Sequence, residues 1–313
     1  MPGKNAIRAT GVELYYEAFG SRMDPAALLV MGNSAPGLVW PDEFCAMLAA
    51  SGLYAIRFDA RDTGLSTYVD FNQAPYTLDD LVEDAFALLD GIGVSRPHVI
   101  GLSQGGVIGY RMAIKRPQRL LSLAVMMSSA DLRPKNDAFA GSDAREGELP
   151  RPSPDYVAKV VALNANAPTT ISEVAERFVE NFRLAAGPRS PFDEGAWQAL
   201  GRAFAELPLS RNDGLSPTLA NNSNHALAQK RTPALTPDEL ASIKLPVLVI
   251  QGSDDPIFPV EHARWAASVI PGAQLHVIDA MGHALDPAFF NSIVGALNDF
   301  YGQNDGRTRD PQS

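Results

Sequence analysis

The chain is poor in cysteine and has no long apolar run. Cys45 is the only cysteine among 313 residues, which excludes an intrachain disulfide and a metal site built from cysteines. No apolar stretch is long enough to span a bilayer, and Met1–Arg8 holds no apolar core of signal-peptide length. We therefore expect a globular protein of the cytoplasm with no membrane partner.

Positive charge is also scarce. Lysine and arginine number 26 against 36 aspartates and glutamates, which gives a formal net charge of −10. A nucleic-acid-binding face needs clustered basic residues, so we expect no nucleic-acid partner. No histidine or carboxylate pair stands at metal-ligand spacing on a common element, and we expect no bound metal. Nothing in the sequence indicates an oligomeric state.

Strand-like and helix-like runs alternate in the first and last thirds of the chain, whereas the middle third is helical and rich in proline. This pattern predicts an α/β architecture, with a mostly parallel central sheet flanked by helices and an inserted helical cap. The predicted core covers 1–130 and 241–303. The predicted cap covers 131–240, and 304–313 is expected to be a disordered polar tail.

The individual elements follow from apolar periodicity and from turn residues. Strands are predicted at 12–19, 26–31, 54–59, 97–100, 120–127, 247–250 and 274–278. Helices are predicted at 42–51, 78–89, 107–113, 154–166, 170–186, 193–206, 216–228, 260–269 and 288–301. Parallel strand order follows because the connecting segments are long enough to be crossover helices.

Ser103 lies between Gly101 and Gly105 in a Gly-x-Ser-x-Gly pattern. The strand-like run Pro97–Ile100 precedes it and a helix-like run follows, which is the context of a nucleophile elbow. The turn from strand to helix is so tight that side chains two residues before and after the serine would collide. The pattern predicts Ser103 as a nucleophile and the backbone N–H of Gln104 as an oxyanion donor.

A serine hydroxyl needs a base within hydrogen-bond reach and a third group that orients this base. His283 follows the last strand-like run, and Asp255 follows the strand-like run before it. We predict His283 as the base and Asp255 as the acid, since the order Ser, Asp, His is one in which such triads occur. Asp254 is the competing acid, and we expect it to cap the turn instead.

A second oxyanion donor is expected in the loop after the strand-like run Ala26–Met31. Gly32 allows the chain to turn there, and the donor is the N–H of Asn33 or of a neighbouring residue. All these groups follow strand-like runs, and open α/β sheets bind ligands at the carboxyl ends of their strands. The joint arrangement is much harder to meet by chance than the serine pattern alone.

The chain has five histidines, and the four besides the predicted base fall into two groups. His98, His262 and His276 are expected to be structural or solvent-facing. His225, beside the polar run 221–224, is a candidate substrate contact.

Large apolar residues recur at helical spacing in the middle third of the chain. They are Phe178, Phe182, Trp197, Phe204 and Leu207. They are interpreted either as the wall of an apolar acyl or aromatic pocket, or as residues that pack the inserted helices onto each other. The candidate pocket residues are Gly32, Phe178, Phe182, Trp197 and His225.

Several stretches resemble those of α/β-hydrolase fold enzymes, and the resemblance covers nearly the whole chain. They are Leu28–Gly32, Trp40–Phe44, Ile56–Ser66, Gly101–Ser103, Val249–Gln251 and Met281–Leu285. Within that superfamily the chain is most similar to the aclacinomycin methylesterase type, for which the run Arg61–Gly64 is distinctive. The spacing from Asp255 to Pro259 is also that of the acid in these enzymes. The resemblance implies hydrolysis of a small-molecule carboxylic ester through an acyl-enzyme, with no cofactor.

The chain departs from this type at two positions near the expected oxyanion hole. Asn33 stands where a second glycine is usual, and Gln104 stands where methionine is usual. Lactonases, carbon–carbon bond hydrolases and cofactor-free perhydrolases use the same triad, so these reactions stay open. A non-catalytic hydrolase-like protein that only holds a ligand is the alternative outside enzymes. Epoxide hydrolases and haloalkane dehalogenases are excluded because they need an aspartate at the position of Ser103.

Overall fold

Eight strands form one sheet in the computed structural model, which describes residues 5–9, 11–207 and 224–305. They are β1 (Asn5–Ala9), β2 (Val12–Phe19), β3 (Ala26–Val30), β4 (Tyr54–Phe58), β5 (His98–Leu102), β6 (Ser122–Met126), β7 (Val247–Gly252) and β8 (Gln274–Ile278). Their order is β1-β2-β4-β3-β5-β6-β7-β8. Only the β1–β2 and β2–β4 pairs are antiparallel. The predicted α/β class with a mostly parallel sheet is confirmed.

Helices connect and cover the strands. They are α1 (Asp42–Ala50), α2 (Leu78–Gly91), α3 (Gln104–Lys115), α4 (Arg133–Phe139), α5 (Pro154–Leu163), α6 (Ile171–Ala186), α7 (Glu194–Glu206), α8 (Asn224–Arg231), α9 (Pro237–Ala241), α10 (Val260–Val269) and α11 (Phe290–Asp305). Short 3-10 helices cover Gly37–Val39, Pro117–Arg119 and Pro287–Phe289. Within the described ranges, no helix combines the length and apolar character that crossing a membrane requires.

The central strands are mostly apolar because helices cover both faces of the sheet. Every residue of β4, β5, β6 and β7 is buried. One core cluster joins the sheet to α2, α3 and α10, and it includes Phe86 and Tyr110. The other joins the sheet to α1 and α11 and also includes Phe178 of α6 and Trp197 of α7. The helices inserted between β6 and β7 therefore share a core with the sheet.

Most predicted elements lie within a few residues of the observed ones, and β2, α10 and β8 have the predicted bounds. The short elements β1, α4 and α9 are new. The pattern of β1 is weak because its side chains are mostly exposed, with Ile7 half-buried against Gly91. The predicted helix 216–228 lies partly outside the described residues. In the predicted polar tail, 304–305 belongs to α11 and 306–313 lies outside the described residues.

Candidate active site

The turn between β5 and α3 consists of Ser103 alone. Its backbone has φ 55° and ψ −123°, a strained conformation for a residue with a side chain. A Cβ on Gly101 would lie 2.3 Å from the Gly105 carbonyl oxygen, and one on Gly105 would lie 2.0 Å from the Val30 carbonyl oxygen. Both glycines are therefore required by close backbone approach, as the pattern predicts.

A chain of hydrogen bonds joins Ser103, His283 and Asp255. His283 Nε2 lies 3.0 Å from Ser103 Oγ, and His283 Nδ1 lies 2.8 Å from Asp255 Oδ2. The imidazole and the carboxylate are buried, whereas Ser103 is half-buried. With Asp255 ionised, Nδ1–H donates to the carboxylate and leaves Nε2 to accept the proton of the serine hydroxyl.

Three further donors hold the Asp255 carboxylate. Its Oδ1 accepts from the backbone N–H groups of Ile257 and Phe258, at 2.8 and 2.9 Å. Its Oδ2 accepts from the side-chain amide of Gln251 at 2.9 Å as well as from His283. The carboxylate therefore has a single orientation, and this orientation sets that of the imidazole.

Asp254 points elsewhere, although it is the neighbour of Asp255. Its carboxylate pairs with Arg189, with Arg189 Nε at 3.0 Å from Asp254 Oδ2. Hydrogen bonds from this guanidinium hold the pKa of Asp254 below its usual value. The structure thus brings Asp255, and not Asp254, to the histidine.

The loop after β3 lies against the serine. A Cβ on Gly32 would be 3.1 Å from Ser103 Cβ and 3.6 Å from Ser103 Oγ, so this position tolerates little beyond a glycine. The next residue, Asn33, accepts a hydrogen bond on its Oδ1 from Gln104 Nε2 at 3.3 Å. Gly32, Asn33 and Gln104 therefore lie next to one another beside Ser103.

A cavity of about 450 Å³ opens above Ser103 and His283. Its walls come from the β3 loop, from α4 and α5, and from one face of α6. Of the candidate pocket residues, Gly32, Phe178 and Phe182 line it, and so does Phe204. A cavity of this size suits a small organic molecule.

Two candidate pocket residues, Trp197 and His225, lie outside the lining of this cavity. Trp197 is buried, its Nε1–H donates to Asp286 Oδ2 at 3.0 Å, and its ring stacks on Phe182. Trp197 thus packs behind the cavity wall. His225 is also buried, and both of its ring nitrogens contact the backbone, at Ser34 N and at the Arg61 carbonyl oxygen.

Further polar residues line the cavity that were not predicted from the sequence. They are Lys135, Tyr156, Asn164, Arg177 and Asn181. Part of the signal was present, because 177, 178, 181, 182 and 185 fall on one face of a helix. No sequence pattern indicated that Lys135 lines the cavity, because α4 is a short helix without an apolar repeat.

The inserted helices also hold the loop that carries His283. The backbone N–H of His283 donates to the Ala185 carbonyl oxygen at the end of α6, at 2.7 Å. A Cβ on Gly282 would lie only 1.7 Å from the Ala186 carbonyl oxygen. The position of the imidazole therefore depends on α6 as well as on the sheet.

The described residues contain no group of three or more His, Cys, Asp or Glu side chains that could hold a metal ion. Cys45 is buried in the core, and burial raises the pKa of its thiol to about 12. The polar groups that converge on Ser103 are those of nucleophilic chemistry with a general base.

Known proteins share this architecture and much of the sequence. Rhodomycin D methylesterase DauP of Streptomyces sp. (strain C5) is 37% identical over 291 residues, which is 91% of this chain and 94% of that protein. Rhodomycin D methylesterase DnrP of Streptomyces peucetius is 36% identical over 293 residues, with coverages of 91% and 94%. A solved structure, that of 2-hydroxy-6-oxo-6-phenylhexa-2,4-dienoate hydrolase (BphD) from Rhodococcus sp. strain RHA1, has a similar fold. The similarity covers 96% of this protein and 99% of the hydrolase, with a TM-score of 0.74.

The structural similarity to this hydrolase comes with only 17% sequence identity, so it shows the fold alone. The sequence profile of the alpha/beta hydrolase fold matches residues 56–285 of this chain, which includes all three residues of the hydrogen-bonded chain. The resemblance noted in the sequence is confirmed by this match and by the two methylesterases. The chain belongs to the α/β hydrolase fold family.

Proposed function

We propose that the chain hydrolyses a methyl ester of a small molecule, with Ser103 as nucleophile and His283 as general base. The supporting observation is the continuous hydrogen-bond chain of 3.0 and 2.8 Å from Ser103 through His283 to Asp255 at the cavity wall. The methylesterase names of two relatives, 37% and 36% identical over most of the chain, support the ester class.

The first half-reaction transfers the acyl group to the serine. Ser103 Oγ attacks the carbonyl carbon of the ester while its proton passes to His283 Nε2. The carbonyl oxygen gains negative charge and accepts hydrogen bonds from the backbone N–H groups of Gln104 and Asn33. The bond to the methoxy oxygen then breaks, His283 gives its proton to the departing methanol, and an acyl ester remains on Ser103.

The position of Gln104 suits the role of oxyanion donor. Gln104 is the first residue of α3, so its N–H is among those at the helix start that have no partner within the helix. The partial positive charge of this helix end also favours an anionic oxygen. Free N–H groups and a partial positive charge are also the features by which other helix N-termini bind anions.

The second half-reaction releases the acid. His283 takes a proton from a water molecule, whose oxygen adds to the acyl carbonyl carbon. Collapse of this intermediate breaks the bond to Ser103 Oγ, which regains its proton from His283. The products are the carboxylic acid and methanol, and no step requires a cofactor.

The test compares variants on a panel of methyl esters, with methanol release as the readout. Ser103→Ala is expected to lower kcat by on the order of 10⁴-fold or more, because the nucleophile is removed. Asp255→Asn is expected to lower kcat by about 10³–10⁴-fold, because the imidazole loses the acceptor that sets its tautomer.

Asp254→Asn is the matched control, since it changes an adjacent carboxylate that faces Arg189. It is expected to change kcat by less than about tenfold. Far-ultraviolet circular dichroism confirms that each variant is folded. Retained methanol release by folded Ser103→Ala protein, or equal losses in the two aspartate variants, would contradict the proposal.

A further inference from the structure

The cavity is positively charged although the protein as a whole is acidic. Lys135 and Arg177 line it together with Ser103, and none of its described lining residues is an aspartate or a glutamate. The whole chain carries a formal net charge of −10. A concave site with charges of one sign attracts ligands of the opposite sign. The lining therefore favours a negatively charged group on the bound molecule.

The ammonium group of Lys135 has no carboxylate partner in the described part of the chain. Its Nζ lies 3.4 Å from the neutral amide oxygen Oε1 of Gln229. The nearby carboxylates of Asp131 and Asp137 each pair with an arginine. An ammonium has three N–H donors, so Lys135 keeps donors for a ligand.

Lys135 is also close to the reacting groups. The Gln229 oxygen that receives its hydrogen bond also accepts from Gln104 Nε2 at 3.1 Å, and Gln104 follows Ser103 in the chain. Two hydrogen bonds thus connect the residue beside the nucleophile with the ammonium. Burial lowers the pKa of Lys135 to about 8, which leaves the amine mostly protonated at neutral pH.

We propose that Lys135 binds an anionic oxygen group of the substrate, so that the preferred molecule carries a carboxylate or a comparable oxyanion besides its methyl ester. This inference rests on the proposed function and names the substrate class within it. Arg177 of α6, which also lines the cavity, adds to the positive potential. A charge-assisted hydrogen bond to a half-buried ammonium is stronger than one between neutral groups, so it can select for charge.

The experiment uses matched pairs of esters, monomethyl and dimethyl esters of dicarboxylic acids from succinate to suberate. Each pair shares a carbon chain and differs in one negative charge. The ratio of kcat/KM for the charged ester to kcat/KM for the neutral one is measured in wild-type protein. Lys135→Met is expected to lower this ratio by about tenfold to a hundredfold, through KM for the charged ester.

Two control variants test whether the preference depends on a positive charge and on its position at residue 135. Lys135→Arg keeps the positive charge and is expected to restore part of the preference. Lys159→Met removes a lysine of α5 that is exposed and paired with Asp155, and it is expected to leave the ratio unchanged. Methanol release from the neutral esters serves as the test that the enzyme is active and folded in every variant.

The outcomes separate the two proposals. If wild-type protein hydrolyses neutral methyl esters and Lys135→Met leaves the charge preference unchanged at every chain length, the anionic substrate class is wrong and the esterase function stands. If no methyl ester of either kind is hydrolysed, the proposed function is wrong. A preference that Lys135→Met abolishes and Lys135→Arg retains supports both.

Discussion

At the scale of single residues, His225 holds the loop that carries the expected oxyanion donor. Its Nδ1 accepts from the Ser34 backbone N–H at 3.1 Å, and its Nε2 lies 2.7 Å from the Arg61 carbonyl oxygen. Only a neutral imidazole with its proton on Nε2 makes both hydrogen bonds. Burial lowers the pKa of His225, partly opposed by the Arg61 carbonyl and the charge of Asp62, and this keeps the ring neutral.

We predict that His225→Phe destabilises the protein by about 1–3 kcal/mol at neutral pH, because the half-buried Ser34 N–H loses its acceptor. The pKa of His225 lies below its ordinary value of 6.5. The unfolded chain therefore binds a proton that the folded protein does not, and the advantage of the wild type shrinks as the pH falls below this value. Urea unfolding at about pH 8 and about pH 5 measures both effects.

His276→Phe is the control, because His276 is exposed on the edge strand β8. It is expected to change the stability by about 0.5 kcal/mol or less. His225→Phe is also expected to lower kcat for methyl esters, since Ser34 belongs to the loop beside Ser103. Equal stability of the two variants at neutral pH would mean that His225 does not support the loop.

At the scale of elements, the contact between β3 and the start of α3 decides where Ser103 lies. Gly105 lets the helix approach the end of β3 so closely that its missing Cβ would lie 2.0 Å from the Val30 carbonyl oxygen. A helix pushed away from this strand would also move Ser103 and the N–H of Gln104. The stability of the elbow and its chemistry therefore depend on the same glycine.

We predict that Gly105→Ala lowers the free energy of unfolding by about 3 kcal/mol or more, because backbone and not a flexible side chain must move. Gly295→Ala is the matched control in an exposed position of α11, where a Cβ would meet no atom within 4 Å. It is expected to stabilise the protein by about 0.5–1 kcal/mol through helix propensity. Chemical denaturation compares the pair, and a shift of the same sign in both would contradict this account.

At the scale of the whole molecule, the inserted helices and the sheet form one structural unit. Asp286 lies in the loop that follows His283 and is buried. Its Oδ2 accepts from the backbone N–H of Asp193 and from the indole of Trp197, and its Oδ1 accepts from the N–H of Ala288. One carboxylate thus connects α7 to the loop that carries His283.

We predict that Asp286→Ala destabilises the protein by about 3 kcal/mol, because buried donors lose a charged acceptor. It is also expected to lower kcat, since the loop with His283 loses its tie to α7. Equilibrium unfolding followed by tryptophan fluorescence and by circular dichroism measures the change. Asp299→Ala, on the exposed face of α11, is the control and is expected to change stability by about 0.5 kcal/mol or less.

Local signals made much of the fold predictable. The buried strands β3 to β7 are mainly apolar, and helices follow them at crossover length, so these strands could be placed from the sequence. The edge strand β8 was also predicted, although four of its five residues are exposed. The edge strand β1 could not be placed, because the side chains of 5, 6 and 8 are exposed and Ile7 is only half-buried, so 5–8 show no clear alternation. Phe178 and Trp197 are equally apolar, and only their packing shows that one faces the cavity and the other faces Asp286.

The sequence by itself determined the candidate nucleophile. The turn at Ser103 brings backbone so close to Gly101 and Gly105 that no residue with a Cβ fits at either position, and this local requirement is visible as a sequence pattern. It also indicated Asp255 and His283, since strand ends of a parallel sheet share one edge. The tertiary structure decided the charge of the cavity. Lys135 and Ser103 line the same cavity, and Gln229, remote in the chain, accepts hydrogen bonds from both Lys135 and Gln104. An electrostatic environment made by residues that are distant in sequence leaves no local pattern.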